Sequence, residues 1–522
     1  MNYQSIRKAQ CVGAGGGALY YVIRFFHSLG VAVTGYDIAK NDRMAALRKL
    51  KKPVVTIILA NPAKPFPRDT DIIIYSNALP DRLIEKLKKN NKSIRIVEVG
   101  LFVSCLIRDF ERGRLTQKEA AAFGQSNMAP LHTVDYSKEV FIGVTGTDGK
   151  TTVSAMLFHI LKKLGFRPAV INTLSARVGS KVLSTGLHTT TPSPQEIFRL
   201  IQLFRREGAT HIILEATSHG LAMGRLAGLK LDVAVYTNIT SDHLDYHKTW
   251  EQYAGAKAKL GKECLKPNGT VVLNANDTKS YAYLRPQFKK VAAYAVEKDI
   301  RESVNGIVYP FEGEEYTLPI LGRYNVSNAL ACAAALEALS ISAPRALEAL
   351  SDFRTVKGRM QILQKEPYVV VVDFAHTPNA LKSVLQSATK LKRSPSNKLV
   401  AVFGCAGKRD NSKRGPMGQI AAELADTTIL TAEDPRSESL KSINNEIAQG
   451  WEATKTPRKR LIRFDDGSKN VAVRRAAIAK SLELARPGDV VIICGKAHEQ
   501  SLCFGSVEYS WDDIKETKKL LK

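Results

Sequence analysis

The sequence predicts three consecutive α/β domains: a Rossmann-like amino-terminal domain, a P-loop-type central ATPase domain and a Rossmann-like carboxy-terminal domain. Three observations carry this. The chain has 522 residues, and at ~150 residues per domain that length holds about three cores. Short apolar runs alternate with helix-like stretches in three successive series, the pattern of parallel sheets with crossover helices. Glycine-rich turns fall between strand and helix in the first two series, where backbone N–H groups can meet phosphate.

The first series has apolar runs at 9–12, 31–34, 54–60 and 71–75, and defines a domain over 1–110. Residues 111–137 are polar and mixed, and read as a connector. The second series opens at 140–144 and continues through 169–171, 211–214, 233–236 and 271–273, giving a central domain over 138–335. An Ala-rich helix at 329–339 precedes the third series, at 369–372, 399–403, 427–430 and 490–494, and the third domain spans 336–522. Stretches 394–398 and 454–459 read as surface loops.

Composition narrows the class. Hydrophobic residues make up 44% and charged residues 24%, with 35 Gly and 21 Pro, which excludes disordered, collagenous and disulfide-scaffold proteins. No apolar run reaches the ~18 residues of a membrane span, so no membrane insertion is expected. The start leads into a glycine-rich loop rather than a signal segment. Seven cysteines without CxxC spacing read as reduced thiols, and a cytoplasmic protein is expected. The net charge of +26 favours anionic partners. No basic-aromatic stripe or nucleic-acid motif accompanies it, so small anionic substrates are expected rather than nucleic acid.

The central signal is Gly143-Val-Thr-Gly146-Thr147-Asp148-Gly149-Lys150-Thr151-Thr152, between an apolar strand and a helix-forming run. Such a turn aims N–H groups and the positive helix end at phosphate oxygens. Lys150 can reach the β- and γ-phosphates, and the Thr151 hydroxyl can meet Mg²⁺. The strict P-loop spacing requires Gly at 144, where this chain has Val. In the first domain, Gly13-Ala-Gly15-Gly-Gly-Ala18 fits G-x-G-x-x-[GA], and Asp37 ends the next strand at ribose-binding distance in sequence.

Further charged groups follow strand ends, where open α/β sheets bind ligands. Glu215 follows the run at 211–214, and Asp242-His243-Leu-Asp245 follows that at 233–236. Lys257 and Lys259 lie on a small-residue helix. In the third series the strand ends carry Asp373 and His376, then Arg409, then Glu433-Asp434-Pro435-Arg436, then Gly495-Lys496-Ala-His498-Glu499. These cations and carboxylates at one sheet edge suit a zwitterionic small molecule.

With these segments in place, the chain resembles the Mur ligases, and residues 138–522 resemble their tripeptide-synthetase branch (MurE type). The segments are Gly146-Thr-Asp-Gly-Lys-Thr-Thr, Glu215-Ala-Thr-Ser-His-Gly-Leu, Thr237-Asn-Ile-Thr-Ser-Asp-His-Leu-Asp-Tyr-His, Gly322-Arg-Tyr-Asn-Val-Ser-Asn, Lys357-Gly-Arg-Met-Gln, Asp373-Phe-Ala-His-Thr-Pro, Gly404-Cys-Ala-Gly-Lys-Arg-Asp and Gly495-Lys-Ala-His-Glu. The resemblance implies an ATP-dependent acid–amino-acid ligase of peptidoglycan precursor synthesis, working through an acyl phosphate. Gly146, Thr147, Asp148, Gly149, Lys150, Thr151 and Thr152 would bind ATP together with Asn328, Arg359, Asp373 and His376. Thr151, Glu215, His243 and a carbamylated Lys257 would hold Mg²⁺. Lys150, Lys257, His243 and Glu215 would be the catalytic set.

Thr190, Thr217 and Arg225 match positions that grip UDP-MurNAc-dipeptide, and Arg409, Asp434, Arg436, Gly495 and Glu499 match the diamino-acid pocket. The amino-terminal domain instead resembles that of UDP-MurNAc–L-alanine ligases and murein-peptide ligases, through Gly13, Gly15, Asp37 and Ser76, which would meet the UDP part. An alternative activity follows from it, addition of L-alanine or a recycled peptide, although those relatives show His-His-Pro where this chain has His376-Thr-Pro378. Diaminopimelate enzymes carry Asp-Asn-Pro-Arg where this chain has Glu433-Asp434-Pro435-Arg436. Arg436 favours meso-diaminopimelate through its distal carboxylate. Asp434 would suit an ammonium and keeps lysine and ornithine open. A monomer acting only on small molecules is expected.

Overall fold

The computed structural model describes residues 3–12, 17–37, 47, 55–59, 66–76, 79, 81–99, 102–103, 105–106, 109, 114–119, 122, 131, 134–183, 190–240, 242–455, 460–465, 467 and 470–522. Gly13, Gly15, most of the predicted connector and most of the 454–459 loop lie outside these residues. The chain divides into two compact units, one of residues 1–143, 167–232 and 256–269, the other of 144–166, 233–255 and 270–522. Among the described residues no helix is long and apolar enough to cross a membrane.

In the first unit, a five-stranded parallel sheet has the order Val55–Leu59, Ala32–Asp37, Lys8–Val12, Ile72–Tyr75, Arg95–Glu98. Alternate residues serve its two faces, as the pleat requires. Ala9, Cys11, Val33, Ile72 and Ile74 pack with Leu19, Val22 and Phe26 of helix Gly17–Leu29, while Val12, Ile73 and Tyr75 pack with Phe66 and Leu87. Strand order reverses beside Lys8–Val12, and at such a switch point a crevice opens at the carboxyl ends of the strands. Ser76 stands there, its N–H donating to Val12 O at 3.0 Å, and Asp37 closes the neighbouring strand. The same unit holds strand His211–Glu215, paired in parallel with Pro168–Ile171.

In the second unit, helix Lys150–Lys163 follows the phosphate loop. The carboxy-terminal sheet has the order Gln361–Gln364, Val369–Asp373, Val490–Cys494, Leu399–Phe403, Thr427–Leu430, Arg460–Arg463. It is buried on both faces. Val369, Val371, Leu399, Ala401, Phe403 and Ile492 face Leu381, Val384, Met417, Ile443 and Ile447 on one side. Val370, Val372, Val400, Val402, Val491 and Ile493 face Val473, Ile478, Leu482 and Ile514 on the other. Double-sided burial is why these strands read as unbroken apolar runs, and each fully buried Val, Leu or Ile contributes about 1.5–3 kcal/mol.

The mixed α/β class with parallel sheets agrees with the sequence reading. The reading missed the outer strands Gln361–Gln364 and Arg460–Arg463, which are half exposed. It also missed the antiparallel strands Arg301–Ser303, Gly306–Phe311 and Glu314–Leu318. Edge and surface strands need no apolar run, so the signal was absent.

Candidate active site

The phosphate loop is a pinned structure. Gly149 caps the helix Lys150–Lys163 at φ +85°, and no side chain caps that end. A Cβ there would lie 2.4 Å from Asn328 Oδ1, so only glycine gives both the backbone conformation and the close approach. The Thr147 N–H donates to Asn238 O at 2.8 Å and the Asp148 N–H to Asn238 Oδ1 at 2.9 Å. Asp148 O accepts from Thr237 Oγ1 at 2.6 Å and Asn238 Nδ2 at 3.3 Å. Thr147 Oγ1 accepts from the Thr240 N–H at 3.0 Å and lies 3.1 Å from Tyr253 OH. Lys150 Nζ folds back on Thr147 O at 2.8 Å. The first N–H groups of a helix have no intrahelical acceptor, and here they open beside a lysine, a ready anion site.

Charge around the loop is graded. Asp242 is buried, which opposes ionisation, yet the positive neighbours His243 and Lys413 overcome this and hold it at about 2. Its Oδ1 accepts the His243 N–H at 2.8 Å. Burial, with Lys413 nearby, lowers His376 to about 4, so its ring is neutral at pH 7. His376 Nδ1 lies 3.0 Å from Phe374 O; a carbonyl only accepts, so the proton sits on Nδ1.

Asp373 is buried too, and burial raises its carboxyl. Its oxygens accept the Met360 and Ala375 N–H groups at 2.7 and 2.6 Å, which fixes the turn carrying Arg359. Arg359 lies 4.6 Å above the Phe374 ring. Asn328 donates to Asn325 Oδ1 at 2.8 Å, and Asn379 donates to Asp148 Oδ2 at 3.3 Å. The loop and the groups at 359–379 therefore share one neighbourhood.

In the first unit Glu215 is the hub of a threonine cluster. The Thr173 N–H donates to Glu215 Oε2 at 3.0 Å, and its hydroxyl lies 3.1 Å from both carboxylate oxygens. Thr173 Oγ1 also lies 3.0 Å from Thr190 Oγ1. Thr191 Oγ1 donates to Glu215 O at 3.1 Å and accepts the Thr217 N–H at 2.9 Å, and Arg225 Nη1 donates to Thr191 O at 2.7 Å. Glu215, which the sequence reading set apart as a metal ligand, thus shares one cluster with Thr190, Thr217 and Arg225. Thr173 and Thr191, which join them, went unnoticed because a threonine carries no motif by itself. Lys257 is 1% exposed on helix Trp250–Cys264.

The carboxy-terminal candidates follow the ends of strands Thr427–Leu430 and Val490–Cys494. Asp434 and Arg436 adopt left-handed backbone angles, φ +44° and +53°, which fold the 433–436 loop back on itself. Asp434 Oδ1 accepts from Lys496 Nζ at 2.8 Å and from the Cys503 N–H at 2.9 Å. Lys496 also pairs with Glu499. Arg436 Nη1 donates to Gly407 O at 3.1 Å, which leaves further guanidinium donors for a ligand. A Cβ on Gly495 would lie 2.6 Å from Glu433 Oε2, so that glycine admits the carboxyl. Burial raises Glu433 to about 7. Arg409 is exposed. Glu433 and Lys496 entered the sequence reading only as members of the charged strand-end segments, without roles of their own.

Sequence comparison agrees with this arrangement. Residues 144–336 match the Mur ligase middle domain and 358–497 the Mur ligase glutamate ligase domain. The chain is 34% identical over 397 residues to the UDP-N-acetylmuramoyl-L-alanyl-D-glutamate–2,6-diaminopimelate ligase of Caldanaerobacter subterraneus, covering 74% of this chain and 78% of that one. It is 33% identical over 423 residues to a UDP-N-acetylmuramyl-tripeptide synthetase of a Roseiflexus species, covering 76% and 81%.

Among solved structures, a UDP-N-acetylmuramoyl-L-alanyl-D-glutamate–2,6-diaminopimelate ligase superposes with TM-score 0.51 at 28% identity, covering 86% of this chain and 91% of that one. A pseudomurein peptide ligase type C from Methanothermus fervidus shares the fold, with TM-score 0.52 at 18% identity and 99% of each chain covered. The two matched domains, with 33–34% identity over about three quarters of the chain, place the chain in the Mur ligase family.

Proposed function

We propose that this chain is an ATP-dependent acid–amino-acid ligase of peptidoglycan precursor synthesis, adding meso-diaminopimelate to UDP-MurNAc-L-Ala-D-Glu. The observation that carries the choice of amino acid is the bonding of Asp434. Its Oδ1 is already taken by Lys496 and the Cys503 N–H and its Oδ2 faces Arg436 Nη2 at 4.0 Å, which disfavours it as an ammonium acceptor. The more exposed groups are Arg436, 29% exposed with Nη2 4.0 Å from Asp434 Oδ2, and Glu499, 40% exposed and paired with Lys496. A guanidinium and a carboxylate side by side suit a distal carbon bearing both carboxylate and ammonium. Lysine and ornithine have no distal carboxylate and would leave Arg436 unmet.

A carboxylate is a poor acyl donor because its leaving group would be oxide. The D-Glu carboxylate oxygen attacks the γ-phosphorus of ATP, the bond to the β-phosphate oxygen breaks, and ADP leaves. The amino group of diaminopimelate then adds to the acyl phosphate carbon. The tetrahedral adduct expels phosphate, and the nitrogen loses a proton to give the amide. Lys150 and the helix N-terminus hold and neutralise the phosphates. Asn328, Arg359 and His376 would orient the nucleotide, with Asp373 fixing the turn that carries Arg359.

Among the described residues no group of three or more His, Cys, Asp or Glu gathers to hold a metal. Mg²⁺ keeps waters and binds through few protein groups plus substrate phosphates; Thr151, Glu215 and His243 would be its protein donors. When bound, Mg²⁺ would offset charge on the phosphates. Lys257, 1% exposed, is the position the family resemblance marks for carbamylation, which would turn its ammonium into a carboxylate-like group.

The threonine cluster around Glu215, with Arg225, would grip the dipeptide, and the switch-point crevice beside Ser76 would take the UDP. With nucleotide-linked substrates and free cysteines, we place the enzyme in the cytoplasm. The test is ADP and phosphate release with the UDP-dipeptide across a panel of diamino acids. Release dependent on meso-diaminopimelate is expected; no stimulation by any member would overturn the reading.

A further inference from the structure

Below the amino-acid pocket lies an ion pair that no motif marks. Arg474, on helix Ala472–Leu484, and Asp513, at the start of helix Asp513–Leu520, both have side chains 0% exposed. Arg474 Nε donates to Asp513 Oδ1 and Nη2 to Oδ2, each at 2.8 Å. Its remaining contacts are with two backbone carbonyls. Nη1 donates to Ala432 O and Nη2 to Cys494 O, both at 2.9 Å. Ala432 is the residue before the 433–436 loop, and Cys494 the residue before the 495–499 loop. Asp513 Oδ2 also accepts the Ala497 N–H at 2.9 Å, and Oδ1 accepts Trp511 Nε1–H at 2.7 Å.

We propose that Arg474 and Asp513 are positioning residues for the diamino-acid pocket, holding its two loops in register through Ala432, Cys494 and Ala497. The inference rests on the ligase reading above, since it takes those loops as the amino-acid site. A buried ion pair adds little to net stability over a well-packed apolar pair, because both charges lose water. Aiming two carbonyls and one N–H is something an apolar pair does not do. Ala497 also holds φ +37°, a conformation a non-glycine residue keeps only where its surroundings dictate it. The loops so fixed bring Asp434 against Lys496 at 2.8 Å and Glu433 against Gly495. A shift of either loop would move Arg436 relative to Glu499, the two groups proposed to read the distal end of the substrate.

The test is steady-state kinetics on the full chain carrying Asp513→Asn, Arg474→Lys or Trp511→Phe, varying the diamino acid with ATP and UDP-dipeptide saturating. The KM for diaminopimelate should rise roughly 10-fold or more in the first two, as expected of misplaced recognition groups, and less in Trp511→Phe, with the KM for ATP unchanged. A purely structural role lowers the active fraction, hence apparent kcat, at constant KM, and that result overturns the proposal. Should Asp513→Asn and Arg474→Lys fail to fold, Trp511→Phe decides by the same criterion, since it removes one hydrogen bond and leaves the ion pair in place. Should the wild type turn over with a different amino acid, the diaminopimelate assignment fails, and the KM for that amino acid decides this proposal. A wild type with no amino-acid-dependent turnover overturns both.

Discussion

Lys496 Nζ lies 2.8 Å from Asp434 Oδ1, with the lysine side chain only 1% exposed. A pair this buried is held by mutual neutralisation rather than by solvent. Replacing Asp434 by Asn restores the residue the diaminopimelate enzymes carry, keeps a carbonyl oxygen for the Cys503 N–H, and leaves Lys496 its partner Glu499. Asp434→Asn should therefore preserve the preference for diaminopimelate over lysine, read as the ratio of kcat/KM values. A wild type preferring lysine, converted to diaminopimelate by this change, would show that Asp434 reads the substrate ammonium after all.

Arg436 should behave differently. Its Nη1 is held by Gly407 O and its Nη2 lies 4.0 Å from Asp434 Oδ2 with the side chain 29% exposed, which leaves donors for a carboxylate. A hydrogen bond to a charged group contributes about 1.5–3 kcal/mol, so Arg436→Ala should raise the KM for diaminopimelate roughly 10- to 100-fold and leave the KM for lysine nearly unchanged. Equal effects on both amino acids would remove the distal carboxylate from its role.

In the phosphate loop, two neighbouring substitutions should separate chemistry from folding. Lys150→Ala removes a cation bonded only to a loop carbonyl among its described contacts. It should cut kcat by about 10²–10³, the scale of losing one preorganised electrostatic contact, with Tm unchanged. Gly149→Ala forces a side chain onto φ +85° and toward Asn328. The backbone term alone costs about 1–2 kcal/mol, so Tm should fall along with ATP affinity. Thermal melts beside ATP titrations distinguish the two. Normal ATP affinity in Gly149→Ala would mean the loop relaxes around Asn328.

What the sequence revealed and what it hid follow from burial. Strands such as Val369–Asp373 and Val490–Cys494 are covered on both faces and show as apolar runs; Arg460–Arg463, at the sheet edge, does not. Groups inside a motif, such as Lys150, Glu215 and Arg436, were legible because their spacing is chemical. Arg474 and Asp513 were not, because they are 39 residues apart and meet only through packing of two helices. Thr173 was hidden for the same reason, as was the pairing of Asp434 with Lys496 and the Cys503 N–H. That N–H comes from a strand no motif predicted.

Glu433 makes stability depend on pH. Burial raises its carboxyl from 4.5 to about 7, so between those values the folded chain holds a proton that the unfolded chain has released. The resulting stabilisation is full below pH 4.5 and is lost as pH rises through about 7. The limiting slope is about 1.4 kcal/mol per pH unit. His211, lowered to about 4 by burial, acts in the opposite sense as pH falls below 6.5, and is common to wild type and variant. Denaturant unfolding at pH 5 and pH 7.5 should therefore show Glu433→Gln gaining on wild type at the higher pH. Parallel curves for the two proteins would place Glu433 ionised throughout that range.

Lys257 provides the most direct test of the metal chemistry. A lysine 1% exposed, in a chain whose substrates all carry phosphate or carboxylate, can serve the site as an anion only after taking up CO₂. Lys257→Ala should then nearly abolish ligase turnover while leaving the fold intact by circular dichroism. Short carboxylic acids diffusing into the space left by the side chain should restore part of the rate, because they return a carboxylate to the same place. Chloride at equal ionic strength should not. Wild-type-like activity in Lys257→Ala would reject the carbamate role. Rescue by short alkylamines in place of carboxylates would assign Lys257 to the phosphates as a cation instead.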